Sequence, residues 1–142
     1  MIPYYFDEAM LLLPRVASVV DRSRHLLDIQ TEAGAEFSLV IMRGPFPPDA
    51  TLRSRVKADI EEQQRSLRGF ELLSSTERSY DSLHGIEVRF RFIDKPGPTF
   101  RHEFHTALGS TRLGFFGIAT MIHAEACDAW MMEALSNLTL RT

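Results

Sequence analysis

The sequence predicts an α+β domain: a curved antiparallel sheet with two helices packed on one of its faces. Segments of strand length, alternating or fully apolar and separated by turn residues, recur along the chain. Two further segments, residues 49–68 and 124–135, have the spacing of apolar residues that is typical of helices. No internal repeat, low-complexity tract or linker separates these segments, so we expect a single domain over residues 1–142.

In the first third of the chain we predict strands at residues 4–6, 10–13, 25–30 and 37–42. In the third of these, His25, Leu27 and Ile29 share one face, because successive side chains of a strand alternate. The fourth, with the sequence FSLVIM, is apolar on both faces. An antiparallel strand with one face in water alternates apolar and polar residues, so this strand needs cover on both sides.

A helix is predicted to begin after the stiff loop at residues 44–48. Asp49 is expected to cap this helix, because its carboxylate can accept hydrogen bonds from the free N–H groups of the first turn. The helix ends near Arg68, before Gly69, which suits a left-handed turn. Its two stripes are an apolar one, Leu52, Val56 and Ile60, and a mixed one, Asp59, Gln63 and Leu67.

The residue pattern of the second half of the chain predicts an antiparallel meander followed by a closing helix. Strands are expected within residues 70–80 and at 86–92, 100–108 and 112–121, with turns at 81–85, 94–98 and 109–110. The last strand, RLGFFGIATM, is again apolar on both faces. The closing helix, residues 124–135, has a wide apolar surface.

Composition excludes several classes of protein. With 44% hydrophobic and 25% charged residues, the 142-residue chain has the make-up of an ordinary globular core. A net charge of -3 gives no reason to expect a nucleic acid as partner. The N-terminus has no basic region of a signal peptide, and no apolar run approaches the roughly 20 residues that span a bilayer. With Cys127 as the single cysteine, we expect a cytoplasmic protein that does not insert into membranes.

Few residues indicate catalysis or metal binding. His102 and His105 are three positions apart on a predicted strand and so point to opposite faces, unlike the His-Glu-x-x-His pair on a zinc-protease helix. Cys127 lies among apolar helix neighbours, where a thiol is usually an inert part of the core. Neither a glycine-rich phosphate loop nor a nucleophile elbow is present. We expect no enzymatic activity, no metal and no cofactor.

The two-faced strands at residues 37–42 and 112–121 leave two explanations open. In the first, the two helices and the N-terminal segment of the same domain cover both faces of the sheet. In the second, one face is a concave apolar surface that receives a partner, with a gain of about 25 cal/mol for each Å² of apolar area buried. Leu27, Val40 and Met42 are the candidates to line such a surface.

Several segments occur in a recognisable order: YYFDEAMLLLP, FSLVIMR, a proline-rich loop, a charged helix ending in LRGFELL, then HGIEVRFRF, RHEF and a helix around AWMMEAL. This order resembles the DcrB-related domain family over nearly the whole chain. It is most similar to the cytoplasmic branch of that family, the effector-associated (Eag) chaperones of bacterial type VI secretion. The lipoprotein branch is less similar, because no lipobox precedes the domain.

The resemblance implies a PsbP-like α+β fold, a homodimer and no catalysis. Chaperones of this branch bind the N-terminal transmembrane segments of toxic effectors that carry a PAAR domain, many of them Rhs toxins. They shield those helices until the effector is loaded on the VgrG spike. A membrane-spanning helix is apolar all round, so an apolar sheet face with hydrogen-bonding groups at its rim can replace the bilayer.

By position, the groove implied by the resemblance includes His25, Leu27, Val40, Asp59, Leu67 and His102. Ile29, Met42 and Gln63, which neighbour these residues on the predicted strands and helix, complete the predicted client-binding set. His25, Asp59 and His102 stand where relatives have apolar or amide side chains.

Two other functions remain open from the sequence. The apolar face of a DcrB- or PsbP-like domain can hold a lipid or another small apolar ligand instead of a protein helix. An enzyme that uses His102 or Cys127 is the third hypothesis, although no nucleophile and base are paired in the sequence.

Overall fold

A computed structural model describes residues 2–5, 10–13, 22–80 and 83–138 of the chain, with side chains in the last two ranges. At the N-terminus, β1 (Ile2–Tyr5) and β2 (Met10–Leu13) form an antiparallel two-stranded sheet. The predicted strand at 10–13 is confirmed, and the strand predicted at 4–6 begins two residues earlier, at Ile2. Phe6, its last residue, lies outside the described residues.

The main sheet has six antiparallel strands in the order β3-β4-β8-β7-β6-β5. These strands are β3 (Arg24–Gln30), β4 (Glu36–Pro45), β5 (Glu71–Tyr80), β6 (Leu83–Asp94), β7 (Gly97–Leu108) and β8 (Thr111–Thr120). Helix α1 (Leu52–Ser66) connects β4 to β5, and helix α2 (Ala124–Ser136) follows β8 after one 3-10 turn. The predicted α+β class, with an antiparallel sheet and two helices, is confirmed.

The prediction that both helices pack on one face of the sheet is wrong. Helix α1 buries Val88 and Phe90 of β6 under Val56. Helix α2 buries Phe104 of β7 and Phe115 of β8 under Met131, on the opposite face. The physical reason is that the central strands are apolar on both faces, so each face needs a helix of its own. We call these faces the α1 side and the α2 side.

Helix α1 begins and ends differently from the prediction. Its N-cap is Thr51, whose side chain accepts a hydrogen bond from the backbone N–H of Ser54, so the expected cap Asp49 is wrong. A hydroxyl in the position just before the first turn outcompetes a carboxylate two residues earlier. Gly69, three residues past the helix, adopts a left-handed conformation with φ of 63°, as predicted.

The strands run further than predicted at several ends. Strand β4 continues through Gly44 and Pro45, because residues 38–45 all pair with β8, so the predicted loop begins too early. Strand β6 starts at Leu83, which pairs with Tyr80, so the predicted turn at 81–85 is wrong from residue 83 onward. Hydrogen bonds to a long neighbouring strand extend a strand past residues that would end it if it had no such neighbour.

Candidate functional site

Helix α1 leaves part of its own side of the sheet uncovered. It packs on β6 and β7, whereas β3, β4 and β8 lie beyond it. On this part of the α1 side, Leu26, Val40 and Phe116 are direct cross-strand neighbours and form an apolar row. Met42 and Ile118 lie on the same side in the flanking rows. We call these five residues the apolar strip.

Exposure changes along the apolar strip. Leu26 on the edge strand is 64% exposed, Val40, Met42 and Ile118 are half-buried, and Phe116 is buried. The guanidinium of Arg101 lies over the ring of Phe116 at 5.1 Å. The strip is therefore open at the β3 edge and closed by side chains of its own subunit towards β7.

A cleft of about 510 Å³ separates the apolar strip from helix α1. Met42, Gly114 and Phe116 form its floor, and Asp59 and Gln63 of α1 form one wall. Gly114 keeps the floor low, because a Cβ at this position would lie 2.6 Å from the ring of Phe116. The cleft thus combines apolar β surface with a wall of hydrogen-bonding groups.

A chain of polar contacts runs along the cleft from α1 into the sheet. Arg112 donates to Asp59 over 2.6 Å and also lies 3.0 Å from Nδ1 of His105. Because an arginine only donates, Nδ1 of His105 accepts and its Nε2 is the donor to Glu103, at 2.8 Å. Gln63 Nε2 donates to the other oxygen of Glu103 over 3.2 Å.

Glu103 is the centre of this polar chain, although it is buried. Burial alone would raise the pKa of its carboxyl group, but the contact with His105 and the charge of Arg101, whose Nε lies 2.7 Å away, lower that pKa below its ordinary value. Glu103 is therefore an ionised carboxylate that holds three side chains in place. One oxygen of the cleft, Oε1 of Gln63, is buried without a hydrogen-bond partner among the described residues.

The structure divides the nine predicted client-binding residues between the two sides of the sheet. On the α1 side lie Val40, Met42, Asp59, Gln63 and Leu67. On the α2 side lie His25, Leu27, Ile29 and His102. A single groove lined by all nine is therefore wrong for one subunit, because the sheet itself lies between the two groups.

The physical reason is the two-residue period of a strand. A shift of one residue moves a side chain to the opposite face. On β3, Leu26 is the direct partner of Val40 and lies on the same side of the sheet, whereas the predicted Leu27 lies on the opposite side. On β7, Glu103 lies on the same side of the sheet as Gln63, whereas the predicted His102 lies on the opposite side. Sequence reasoning missed Leu26 and Glu103, and only the β3–β4 and β6–β7 registers identify them.

His102 belongs to a buried polar cluster on the α2 side. Its Nε2 lies 3.1 Å from Glu87, and its Nδ1 lies 2.9 Å from Asp128 at the start of α2. Arg89 contacts both carboxylates, at 2.8 Å from Glu87 and 2.6 Å from Asp128. The cluster ties α2 to β6 and β7, and His102 is fully buried within it.

Glu87 is an ionised carboxylate within this cluster. Burial would raise the pKa of its carboxyl group, but contacts with His102 and the hydroxyl of Tyr80 outweigh burial and lower the pKa to about 2. The pKa of Tyr80 is raised, because of its own burial and its bond to Glu87. Asp128 of α2 contacts Arg89 of β6 and His102 of β7, which indicates a role of the cluster in holding α2.

The residues considered for catalysis or metal binding lie apart. His102 and His105 point to opposite sides of the sheet, as the sequence predicts. Cys127 is buried beneath α2, and burial raises the pKa of its thiol to about 12. Within residues 22–80 and 83–138, no three histidine, cysteine or acidic side chains are arranged to hold a metal ion.

Comparisons with known proteins bear on the fold alone. The chain matches no family model and no curated protein. Among solved structures it is similar to PA94 of Pseudomonas aeruginosa, a protein of unknown function, with a TM-score of 0.82 and 19% identity over 100% of this chain and 98% of the other.

Two further solved structures share the fold at lower similarity. One is CyanoP, the PsbP protein of Synechocystis sp. PCC 6803, with a TM-score of 0.58 and 10% identity over 88% of this chain and 95% of that protein. The other is LpqN of Mycobacterium tuberculosis, involved in cell envelope biogenesis, with a TM-score of 0.55 and 9% identity over 78% of each chain. The fold is therefore PsbP-like. Among the described residues, no helix is long and apolar enough to cross a membrane.

Proposed function

We propose that this protein is a cytoplasmic chaperone that binds an apolar helix of a client protein in the cleft beside helix α1. The observation that carries the proposal is the apolar strip, which α1 leaves partly uncovered and which is widely exposed at Leu26. The resemblance of the sequence to Eag chaperones supplies the client class. That class is the N-terminal transmembrane segment of a PAAR- or Rhs-type type VI effector, shielded before loading on the VgrG spike.

The chemistry of the cleft suits a membrane-spanning helix. Such a helix is apolar on all faces and loses contact with water when it lies against Val40, Met42 and Phe116. Hydroxyl and amide side chains on transmembrane helices form hydrogen bonds between helices in a bilayer. Asp59 and Gln63 of α1 line the cleft, and the half-exposed carboxylate of Asp59 can accept a hydrogen bond from such a group.

The α1 side is favoured over the α2 side for this role. On the α2 side, α2 and Trp130 cover β4 and β8, and the remaining space beside Leu27 is a cleft of about 290 Å³. The α1-side cleft is larger than this one, at about 510 Å³, and has the helix wall. A cleft of about 620 Å³ at the other end of β3 and β4, beside Asp28 and Phe37, has no wall from α1. Five of the nine predicted residues lie on the α1 side, among them both polar residues of the α1 stripe.

Co-expression with a client segment tests the proposal. The segment is the N-terminal transmembrane region of a PAAR- or Rhs-type effector, fused to a tag. We expect a complex that remains in solution and elutes as one species, whereas the segment expressed alone aggregates. Aggregation of the segment to the same extent with and without this protein would contradict the proposal.

A carrier of a lipid or another small apolar ligand is the second candidate. The observation that favours it is the volume of the cleft, which falls within the range of small-molecule sites. Native mass spectrometry of the protein purified without a client discriminates the two functions. A bound lipid at one copy per cleft supports the carrier, and a lipid-free protein that binds the client helix supports the chaperone.

A further inference from the structure

A second cleft lies on the α1 side of the sheet, at the far end of the apolar strip from the cleft beside helix α1. Its volume is about 620 Å³, and Ser38 of β4 and Ile118 of β8, which are direct cross-strand partners, lie in its floor. On this side of β4, Val40 alone separates Ser38 from Met42, which lies in the floor of the cleft beside α1. The two clefts are therefore the ends of one continuous surface, and the apolar strip joins them.

The two ends of this joined surface differ in charge. The second cleft is lined by three acidic side chains, Asp28, Glu36 and Asp94, and by no lysine or arginine of the described ranges. We call it the acidic cleft. The cleft beside α1 is lined by four arginines against three acidic side chains. The joined surface thus has one strongly negative end and one end where positive charge is in slight excess.

The carboxylates of the acidic cleft are available to a partner. All three are exposed, and none forms an ion pair with a described residue. Asp28 accepts a hydrogen bond of 3.3 Å from Ser38, and Asp94 accepts one of 2.8 Å from the backbone N–H of Lys95. Because each bond uses a single oxygen, both carboxylates can still accept from a cation. Complementary charge selects a partner and its orientation, so this end of the surface favours a positively charged group.

The dimensions of the joined surface match one transmembrane helix that lies along the strands. From Glu36 to Gly44, β4 rises roughly 27 Å, at about 3.4 Å per residue. A transmembrane helix crosses about 30 Å of hydrocarbon. Across the strands, β3, β4 and β8 span only roughly 10 Å, which is about the diameter of a single helix. A client helix therefore gains the most contact when its axis follows β4 from one cleft to the other.

We propose that the client helix lies along β4 in one direction only, with its N-terminal end, and the basic residues that precede its apolar segment, in the acidic cleft. This inference rests on the proposed function and adds the direction of the client to it. Lysine and arginine flank transmembrane helices on the cytoplasmic side, and the free N–H groups of a helix give its N-terminus a partial positive charge. The reverse direction would place the basic residues beside the arginines of the other cleft, where like charges repel.

A cross-link to a model client measures the direction. The probe is a synthetic helix of about 20 leucine, alanine and serine residues, preceded by two lysines and a cysteine and diluted from trifluoroethanol. Thr120→Cys places an exposed thiol in the acidic cleft, and Gly44→Cys places one in the cleft beside α1, where a Cβ meets nothing within 4 Å. Under mild oxidation we expect at least about fivefold more disulfide-linked complex with Thr120→Cys than with Gly44→Cys. The native Cys127 is buried and does not compete.

Neutral variants of the acidic cleft test the contribution of its charge. Asp28→Asn/Glu36→Gln should weaken binding of the lysine-flanked helix at least about fivefold at low salt, and the loss should shrink as salt screens the exposed charges. The same helix with serines in place of the lysines should bind this variant within about twofold of the wild type. Glu61→Gln/Glu133→Gln removes two charges from exposed positions on the two helices and should leave both affinities unchanged.

Three results overturn the inference: equal cross-linking at the two ends, preferred cross-linking of Gly44→Cys, and an affinity for the lysine-flanked helix that does not respond to loss of the two carboxylates. In these cases a client helix still binds, so the proposed function stands. A helix that binds but cross-links at neither end lies outside the joined surface and overturns the inference as well. Absence of binding by both helices contradicts the proposed function itself, and the inference with it.

Discussion

Val40 on β4 and Phe116 on β8 are direct cross-strand partners on the part of the α1 side that helix α1 leaves uncovered. Phe116 is buried and Val40 half-buried, while the next residue in the row, Leu26, is mostly exposed. The row is therefore apolar along its whole length, from the core of the subunit at Phe116 to its surface at Leu26. A surface of this kind either receives a partner or remains in unfavourable contact with water.

Gly117 determines how closely helix α2 approaches the sheet. A Cβ at this position would lie 2.7 Å from Cγ of Met131 and 3.0 Å from Sγ of Cys127. Gly117→Ala is expected to lower the free energy of unfolding by about 1–3 kcal/mol, because the helix must shift or Met131 must leave its rotamer. Urea denaturation followed by circular dichroism measures this change.

Gly44→Ala is the matched control for that substitution. Gly44 also lies in a strand of the main sheet, but a Cβ there would meet nothing within 4 Å. The free energy of unfolding should change by less than about 0.5 kcal/mol. Equal effects of the two substitutions would mean that the contact between α2 and Gly117 does not limit packing.

Removal of the Glu103 carboxylate is expected to be costly. Glu103→Ala leaves Arg101 and His105 without their charged partner in a buried site, which should lower the free energy of unfolding by about 3 kcal/mol. Glu77→Ala removes an exposed pair with Arg53 and should leave the free energy of unfolding nearly unchanged, because water screens the pair. Chemical denaturation of both variants checks the difference, and a Glu103→Ala variant as stable as Glu77→Ala would show that the polar chain is dispensable.

The lowered pKa of Glu87 means that the folded protein should lose stability in acid. Its pKa is about 2 in the folded protein against an ordinary value of 4.5, so the unfolded chain binds the proton first as the pH falls. The stabilising contribution is complete above about pH 5 and is lost progressively between 4.5 and 2, with a total on the order of 3 kcal/mol. Glu103, whose pKa is also lowered, adds to the same trend.

The variant Glu87→Gln isolates the contribution of Glu87. It is less stable than the wild type at pH 7, because Arg89 and His102 lose a charged partner. Its free energy of unfolding should fall less steeply between pH 5 and 3 than that of the wild type. Parallel curves for the two proteins would contradict the assignment of the acid response to Glu87.

The sequence predicted most of the fold because its patterns are local. Alternation in β6 and the turns at Gly69 and Gly109 depend on neighbouring residues only, and both glycines have positive φ in the structure. The placement of the helices depends on which face of a two-faced strand each one covers. Since Val88 and Phe104 lie on opposite faces of paired strands, both faces offer an apolar surface, and no local pattern assigns a helix to one of them.

Only part of the candidate site could be predicted from the sequence, because the rest depends on how the strands pair. The helix stripe containing Asp59 and Gln63 follows from a helical period, and both residues line the cleft. The choice between Leu26 and Leu27 depends on the register of β3 against β4, and both residues are leucines. Composition gives no preference between them, so the face of β3 is known only when the sheet is assembled.

The most direct test of the proposed binding surface compares Val40→Asp with Leu27→Asp. The two residues lie on adjacent strands but on opposite sides of the sheet: Val40 belongs to the apolar strip on the α1 side, and Leu27 lies on the α2 side. The affinity of each variant for a client transmembrane segment is measured by fluorescence titration, after circular dichroism has shown that both are folded. We predict that Val40→Asp weakens binding at least about tenfold, because a carboxylate must be desolvated against the client helix, and that Leu27→Asp binds like the wild type. Loss of binding in Leu27→Asp with full binding in Val40→Asp would place the client on the α2 side and contradict the account.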